Sequence, residues 1–140
     1  MTSLRFTLPP RQQSSPLIGA AVLVLIGLLG SLVGGFGFAI VMAVIALFIV
    51  LLYFCTMFGS FSEFDEIGIR SKRGIFRNTV TWAEVREVKL DPKSGEVLMV
   101  YKHHGRPFKV GAPISGGVTT DRAYQAKVVE ILTFVAAHTR

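Results

Sequence analysis

Residues 16–58 read PLIGAAVLVLIGLLGSLVGGFGFAIVMAVIALFIVLLYFCTMF, and no charged side chain interrupts them. The silence runs wider still: between Arg11 and Glu63 lie 51 residues without Asp, Glu, Lys or Arg, in a chain of 140. A transmembrane helix needs about 20 apolar residues, at about 1.5 Å rise each, to cross a hydrocarbon core of roughly 30 Å, so the stretch has room for two crossings and a turn. Gly30, Gly34, Gly35 and Gly37 place that turn, because glycine supplies turn dihedrals and weakens a helix interior. The expected spans are 16–34, with Pro16 in the first helical turn, and 37–58. Neither has a polar face, as expected where lipid replaces water on every side.

Two rival readings fit less well. A cleaved signal peptide with Arg5 and Arg11 as its n-region would have a shorter apolar core, a small-residue cleavage site and no second span directly behind it. A soluble helical hairpin would need a larger protein around it, since both helices are apolar all round.

The turn between the spans carries no Lys or Arg. Arg5 and Arg11 precede the pair, and Arg70, Lys72, Arg73 and Arg77 follow within about 20 residues, the range over which the positive-inside bias acts. Both termini are therefore expected on the cytoplasmic side of the inner membrane, with residues 1–15 a cytoplasmic tail. Cys55 is the single cysteine and cannot form an intrachain disulfide. Neither span holds an ionisable residue with an acidic or basic charge, which weighs against transport, proton relay and ion conduction.

All nine acidic residues and thirteen of the fifteen basic ones follow position 62, which marks 59–140 as a separate small cytoplasmic domain. Its basic surplus suits an anionic leaflet. It does not suit nucleic acid, because the cations are interleaved with Glu and Asp. Alternation of apolar and polar residues predicts strands from Phe61 to Glu66 and from Ile67 to Arg73, with Gly68 a bend between them. After a turn at Gly74, a third strand runs to Trp82 and puts Phe76, Val80 and Trp82 on one face. Trp82 to Val85 reads as a single helical turn. Strands at 86–90, 96–102 and 108–110 follow, separated by Asp91-Pro92-Lys93-Ser94-Gly95 and His103-His104-Gly105-Arg106-Pro107. Beyond a glycine-rich break from Gly111 to Gly117, Tyr124, Val128, Ile131, Leu132 and Val135 recur at helical spacing, with Thr119, Thr120 or Asp121 as candidate caps. The expected core therefore includes Phe76, Val80, Trp82, Tyr124, Val128 and Leu132.

The segment from Glu63 to Gly74, EFDEIGIRSKRG, followed by Val80-Thr81-Trp82-Ala83-Glu84-Val85, resembles bacterial pleckstrin-homology-like (PH-like) membrane proteins. It is most similar to the actinobacterial group called low molecular weight protein antigen 6. The resemblance implies a two-helix anchor ahead of a small α+β PH-like domain, a bent antiparallel sheet closed by one C-terminal helix. Its specific part is Asp65 to Val85. Eukaryotic lipid-binding PH domains usually carry a Trp in the last helix, whereas the only Trp here is Trp82, so phosphoinositide recognition does not carry over.

Arg70, Lys72, Arg73 and Arg77 surround the Gly74 turn and are the candidate contact residues for lipid phosphates or a protein partner. The plainer alternative is a solvated strand face. His103 and His104 point opposite ways in a strand and have no third ligand nearby, so no metal site is expected. Glu84 and Glu87 lack a nucleophile or pocket, and neither glycine-bearing loop has phosphate-loop spacing. The chain is thus expected to be non-catalytic, without cofactor or small-molecule substrate. It would act through another membrane or membrane-associated protein, as an accessory subunit of a larger complex. The alternative is an anionic-lipid reader.

Overall fold

The computed structural model describes residues 3–115 and 121–139. Two long helices come first, α1 (Pro10–Gly34) and α2 (Phe36–Thr56), separated by Gly35 alone at φ +79°. Both are long and apolar enough to cross a membrane. They pack closely because glycine opens the contact: a Cβ on Gly27 would stand 2.8 Å from Met42 Cβ, and one on Gly30 would stand 2.3 Å from the Phe38 ring.

The N-terminal residues are not a tail. Leu4–Thr7 forms strand β1, and α1 starts at Pro10, six residues before Pro16. Pro10 suits the first helical position, where a missing N–H costs nothing. The Pro9 carbonyl accepts from Gln12 and Gln13 N–H, and the Gln12 side-chain amide donates to the Ile114 carbonyl at 3.0 Å, fixing the helix start against the β domain.

Behind α2 come β2 (Phe61–Phe64), β3 (Gly68–Arg73) and β4 (Phe76–Thr81), which join β1 in an antiparallel sheet of order β1-β2-β3-β4. A 3-10 turn at Trp82–Glu84 leads into a second antiparallel sheet of β5 (Val85–Leu90), β6 (Val97–Lys102) and β7 (Phe108–Ile114). The last strand runs four residues past the expected end at Val110, through Gly111, Ala112 and Pro113. Those residues cross the first sheet. Gly111 N–H donates to Ser71 Oγ at 2.8 Å and Ala112 N–H to Ser62 Oγ at 3.0 Å, with both serines buried. Any Cβ at Gly111 would fall 1.8 Å from the Lys72 carbonyl oxygen, so glycine is what lets the sheets approach.

Helix α3 (Tyr124–His138) packs on β5 and β7. Asp121 Oδ1 accepts the Ala123 N–H ahead of it. Thr119 and Thr120, like Gly116 and Gly117, lie outside the described residues. The core draws Phe6, Phe64, Ile69 and Val80 from the first sheet, Val88, Leu98, Val100 and Val110 from the second, and Tyr124, Val128, Ile131 and Val135 from α3. Leu132 and Trp82 pack partly buried against it, and the Trp82 indole donates to the Asp65 carbonyl at 2.8 Å.

Phe76 departs from expectation. It shares alternation with buried Val80 but is 63% exposed, because it opens β4 at the end where the sheet runs out past the core.

Candidate functional site

Antiparallel register aligns the basic residues in rows. Thr7, Phe61, Lys72 and Arg77 face one another across the four strands, and the next row on the same face is Arg5, Glu63, Arg70 and Thr79. Four cations and one carboxylate thus occupy the outer face of the first sheet, the face away from Phe64, Ile69 and Val80. Arg5 was not among the expected contact residues. It reaches the site only because β1 pairs with β2, and its guanidinium lies over the Phe61 ring at 5.1 Å. The signal was present in Leu4-Arg5-Phe6-Thr7-Leu8, whose alternation predicts a strand with Arg5 outward.

The four expected residues do not all share that face. Arg70, Lys72 and Arg77 do. Arg73 alternates to the other side, opposite Phe76, where burial pushes its guanidinium below its ordinary pKa without threatening its charge. Among the described residues no carboxylate pairs with it. Arg70 has a loose partner in Asp65 at 3.8 Å, a surface ion pair worth about 0–1 kcal/mol.

Chain direction orients these rows. β1 runs into α1 and β2 comes out of α2, so the row containing Thr7, Phe61, Lys72 and Arg77 is nearest the helices. The second row lies two residues farther along the strands, about 7 Å away. The β3–β4 turn touches the helix itself: Ile75 N–H donates to the Cys55 carbonyl at 3.2 Å, capping one of the acceptors that the end of α2 leaves open. Gly74, at φ +58°, makes the contact possible, since a Cβ there would stand 2.0 Å from that oxygen. Its N–H donates to Ser60 Oγ. Around this junction Phe58, Ile75 and Phe76 are all exposed, and Tyr53, Phe54 and Phe58 form an aromatic cluster.

No family model, curated protein or solved structure matches the chain.

The remaining candidates are occupied structurally. Glu84 accepts from Thr81 N–H and Thr81 Oγ1, each at 3.0 Å, and these bonds hold its carboxyl below the usual range as part of a capping box. Glu87 pairs with Lys89. Asp91, whose side chain is 4% exposed, binds Lys109 at 2.7 Å, the Lys93 N–H and the Ser94 hydroxyl, and the Lys109 ammonium leads in holding its carboxyl low. His103 and His104 are exposed in the turn after β6. Among the described residues no three His, Cys, Asp or Glu side chains stand together as a metal site would need.

Proposed function

We propose that the chain is a non-catalytic, membrane-anchored PH-like protein whose α1–α2 hairpin spans the bacterial cytoplasmic membrane with both termini in the cytoplasm. The pairing of β1 with β2 supports a same-side arrangement, because it joins the segments before and after the hairpin directly. The positive charges flanking the hairpin support the cytoplasmic assignment. The domain's work is to bind an acidic surface of another membrane or membrane-associated protein, as an accessory subunit would. Nucleic acid and small-molecule substrates have no place in this reading.

The observation that carries it is the row farther from the helices, where Arg5 and Arg70 flank Glu63, displayed on a sheet tied to the hairpin at more than one point. Three attachments hold the β domain to the hairpin: the β1–α1 connection and the Ile75–Cys55 cap from the first sheet, and the Gln12–Ile114 hydrogen bond from β7 of the second. Such a mounting presents the face at a fixed height and angle, lowering the ordering cost of docking. A photocrosslinker placed at Thr79 in the full chain, purified in mild detergent, should trap one discrete partner. The double charge reversal Arg5→Glu/Arg70→Glu should abolish that adduct, while Arg86→Glu on the second sheet leaves it intact. A chain that runs alone and monomeric, with no discrete adduct, sinks the proposal.

A further inference from the structure

The apolar residues at the β3–β4 turn stand exposed among the described residues, and their position identifies a partner. Helix α2 has 21 residues, about 32 Å of helix, so it matches a hydrocarbon core of roughly 30 Å with little to spare. If it spans, its last turn lies at the acyl boundary. Ile75 is tied to that turn through the Cys55 carbonyl, at the level where Tyr53, Phe54 and Phe58 gather. Ile75 and Phe76, 66% and 63% exposed, therefore continue the apolar surface of the helix pair sideways. Arg77 follows Phe76 directly, Arg73 and Lys72 precede Ile75 across Gly74, and no acidic residue lies between Gly68 and Ala83. The order of chemistry along the strands, apolar at the tip and cationic behind it, matches the order met on leaving a bilayer: acyl chains, then phosphates.

We infer that the β3–β4 turn is an interfacial wedge, with Ile75 and Phe76 entering the acyl boundary beside α2 and Lys72, Arg73 and Arg77 forming a collar that selects anionic lipid headgroups. The wedge rests on the reading that α1 and α2 span the membrane. Its occupant is lipid rather than protein because the surface is continuous with the exposed apolar surface of the hairpin and carries cations, placed as phosphates would meet them, directly behind it. Exposed Phe76 explains itself in the same way: the position is outside the protein core and inside the membrane's edge.

The test uses the full chain with Cys55→Ser, reconstituted into phosphatidylcholine vesicles with and without phosphatidylglycerol. Single cysteines in place of Ile75, Phe76, Ile67 or Ile45 carry an environment-sensitive fluorophore, and spin-labelled lipids quench it. These positions are all exposed, so the labels leave the core alone. Labels at Ile75 and Phe76 should be quenched several-fold more than at Ile67, best by a spin label near the headgroup, and Ile45 best by one deep in the acyl chain. Spin-labelled phosphatidylglycerol should quench the Phe76 site several-fold better than the phosphatidylcholine analogue. Lys72→Gln/Arg73→Gln/Arg77→Gln should bring the two to parity. Quenching at Ile45 but no more at Ile75 and Phe76 than at Ile67 overturns the wedge and leaves the spanning reading standing. Equal quenching by both lipids in the unsubstituted collar overturns the headgroup selection. Loss of quenching at Ile45 as well overturns the spanning reading, and the wedge with it.

Discussion

Ile67 and Ile75 flank β3 at its two ends, 67% and 66% exposed, and exposure alone does not distinguish them. What stands behind each does. Ile67 belongs to a polar turn: Asp65 Oδ1 accepts both the Ile67 and Gly68 N–H groups at 2.9 Å, the Asp65 carbonyl takes the Trp82 indole, and Arg70 leans toward the carboxylate. Ile75 belongs to a turn seated on the end of a strongly apolar helix, between cations and with no acid in the turn itself. One turn closes a sheet in solvent, and the other, as the proposed wedge, meets a second phase. An exposed apolar residue gains meaning from its neighbours' chemistry, since isolated ones are common on any protein surface.

The sharpest way to break this comparison is through the glycines that build each turn. Gly68→Ala would put a Cβ 2.0 Å from the Val80 carbonyl, and Gly74→Ala would put one 2.0 Å from the Cys55 carbonyl at positive φ. Each should cost about 3 kcal/mol, the upper end for single substitutions, because the added methyl meets backbone atoms. The consequences should differ: Gly68→Ala opens the β3–β4 pairing, whereas Gly74→Ala frees the domain from α2. Hydrogen exchange would separate them, with fast exchange across β4 in the first and at the Ile75 amide in the second. Next in size is Asp65→Ala, which removes two turn hydrogen bonds and should lower stability by about 1–2 kcal/mol in detergent, measured by thermal melting. The β3–β4 turn should be unaffected.

Acid distinguishes the regions more gently. Asp91 and Glu84 have depressed carboxyl pKa values in the folded domain, so the stability they contribute is present above the ordinary carboxylate range near ~4 and is lost as pH falls through the folded values. Melting temperature should therefore decline on acidification, and Asp91→Asn should flatten that decline. The turn from Gly74 to Arg77 contains no carboxylate, so fluorophore quenching at Phe76 should hold steady until the domain itself unfolds. Smallest of all is Ile67→Ser, expected to shift stability by less than about 0.5 kcal/mol in detergent or bilayer. Phe76→Ser should match it in detergent and exceed it in a bilayer, by up to about 2 kcal/mol of lost burial.

These contrasts also mark how far the sequence could be read. The helical hairpin was legible because lipid removes ambiguity: charge is absent for 51 residues and glycine marks the turn. Strands β2 to β6 were legible from alternation and turn chemistry. β1 was not recognised because four residues ahead of a membrane span look like a tail until their partner, some 57 residues later, is known. β7 was cut short because Gly111 and Pro113 resemble a break, although glycine there is what allows two sheets to touch. At Phe76 alternation gave the right face, since Val80 is buried on it, but period says nothing about where along a strand the core ends. The basic site divided in the same way. Two-residue spacing grouped Arg70 with Lys72, whereas the membership of Arg5 and the turning away of Arg73 depend on cross-strand register.

The pairing of β1 with β2 has a consequence for how the molecule is made. β1 is synthesised first and its neighbour only after both long helices, a delay of several seconds at about 5–20 residues per second. Throughout that interval β1 is an unpaired edge, and on the reading that the helices span a membrane it can be satisfied only if they return the chain to the side it started from. A molecule that threaded just one helix through would strand β1 and β2 apart, leave the first sheet one strand short and expose the flank of β2. Assembly of this sheet is thus a built-in inspection of the hairpin, completed only by chains that have made the turn.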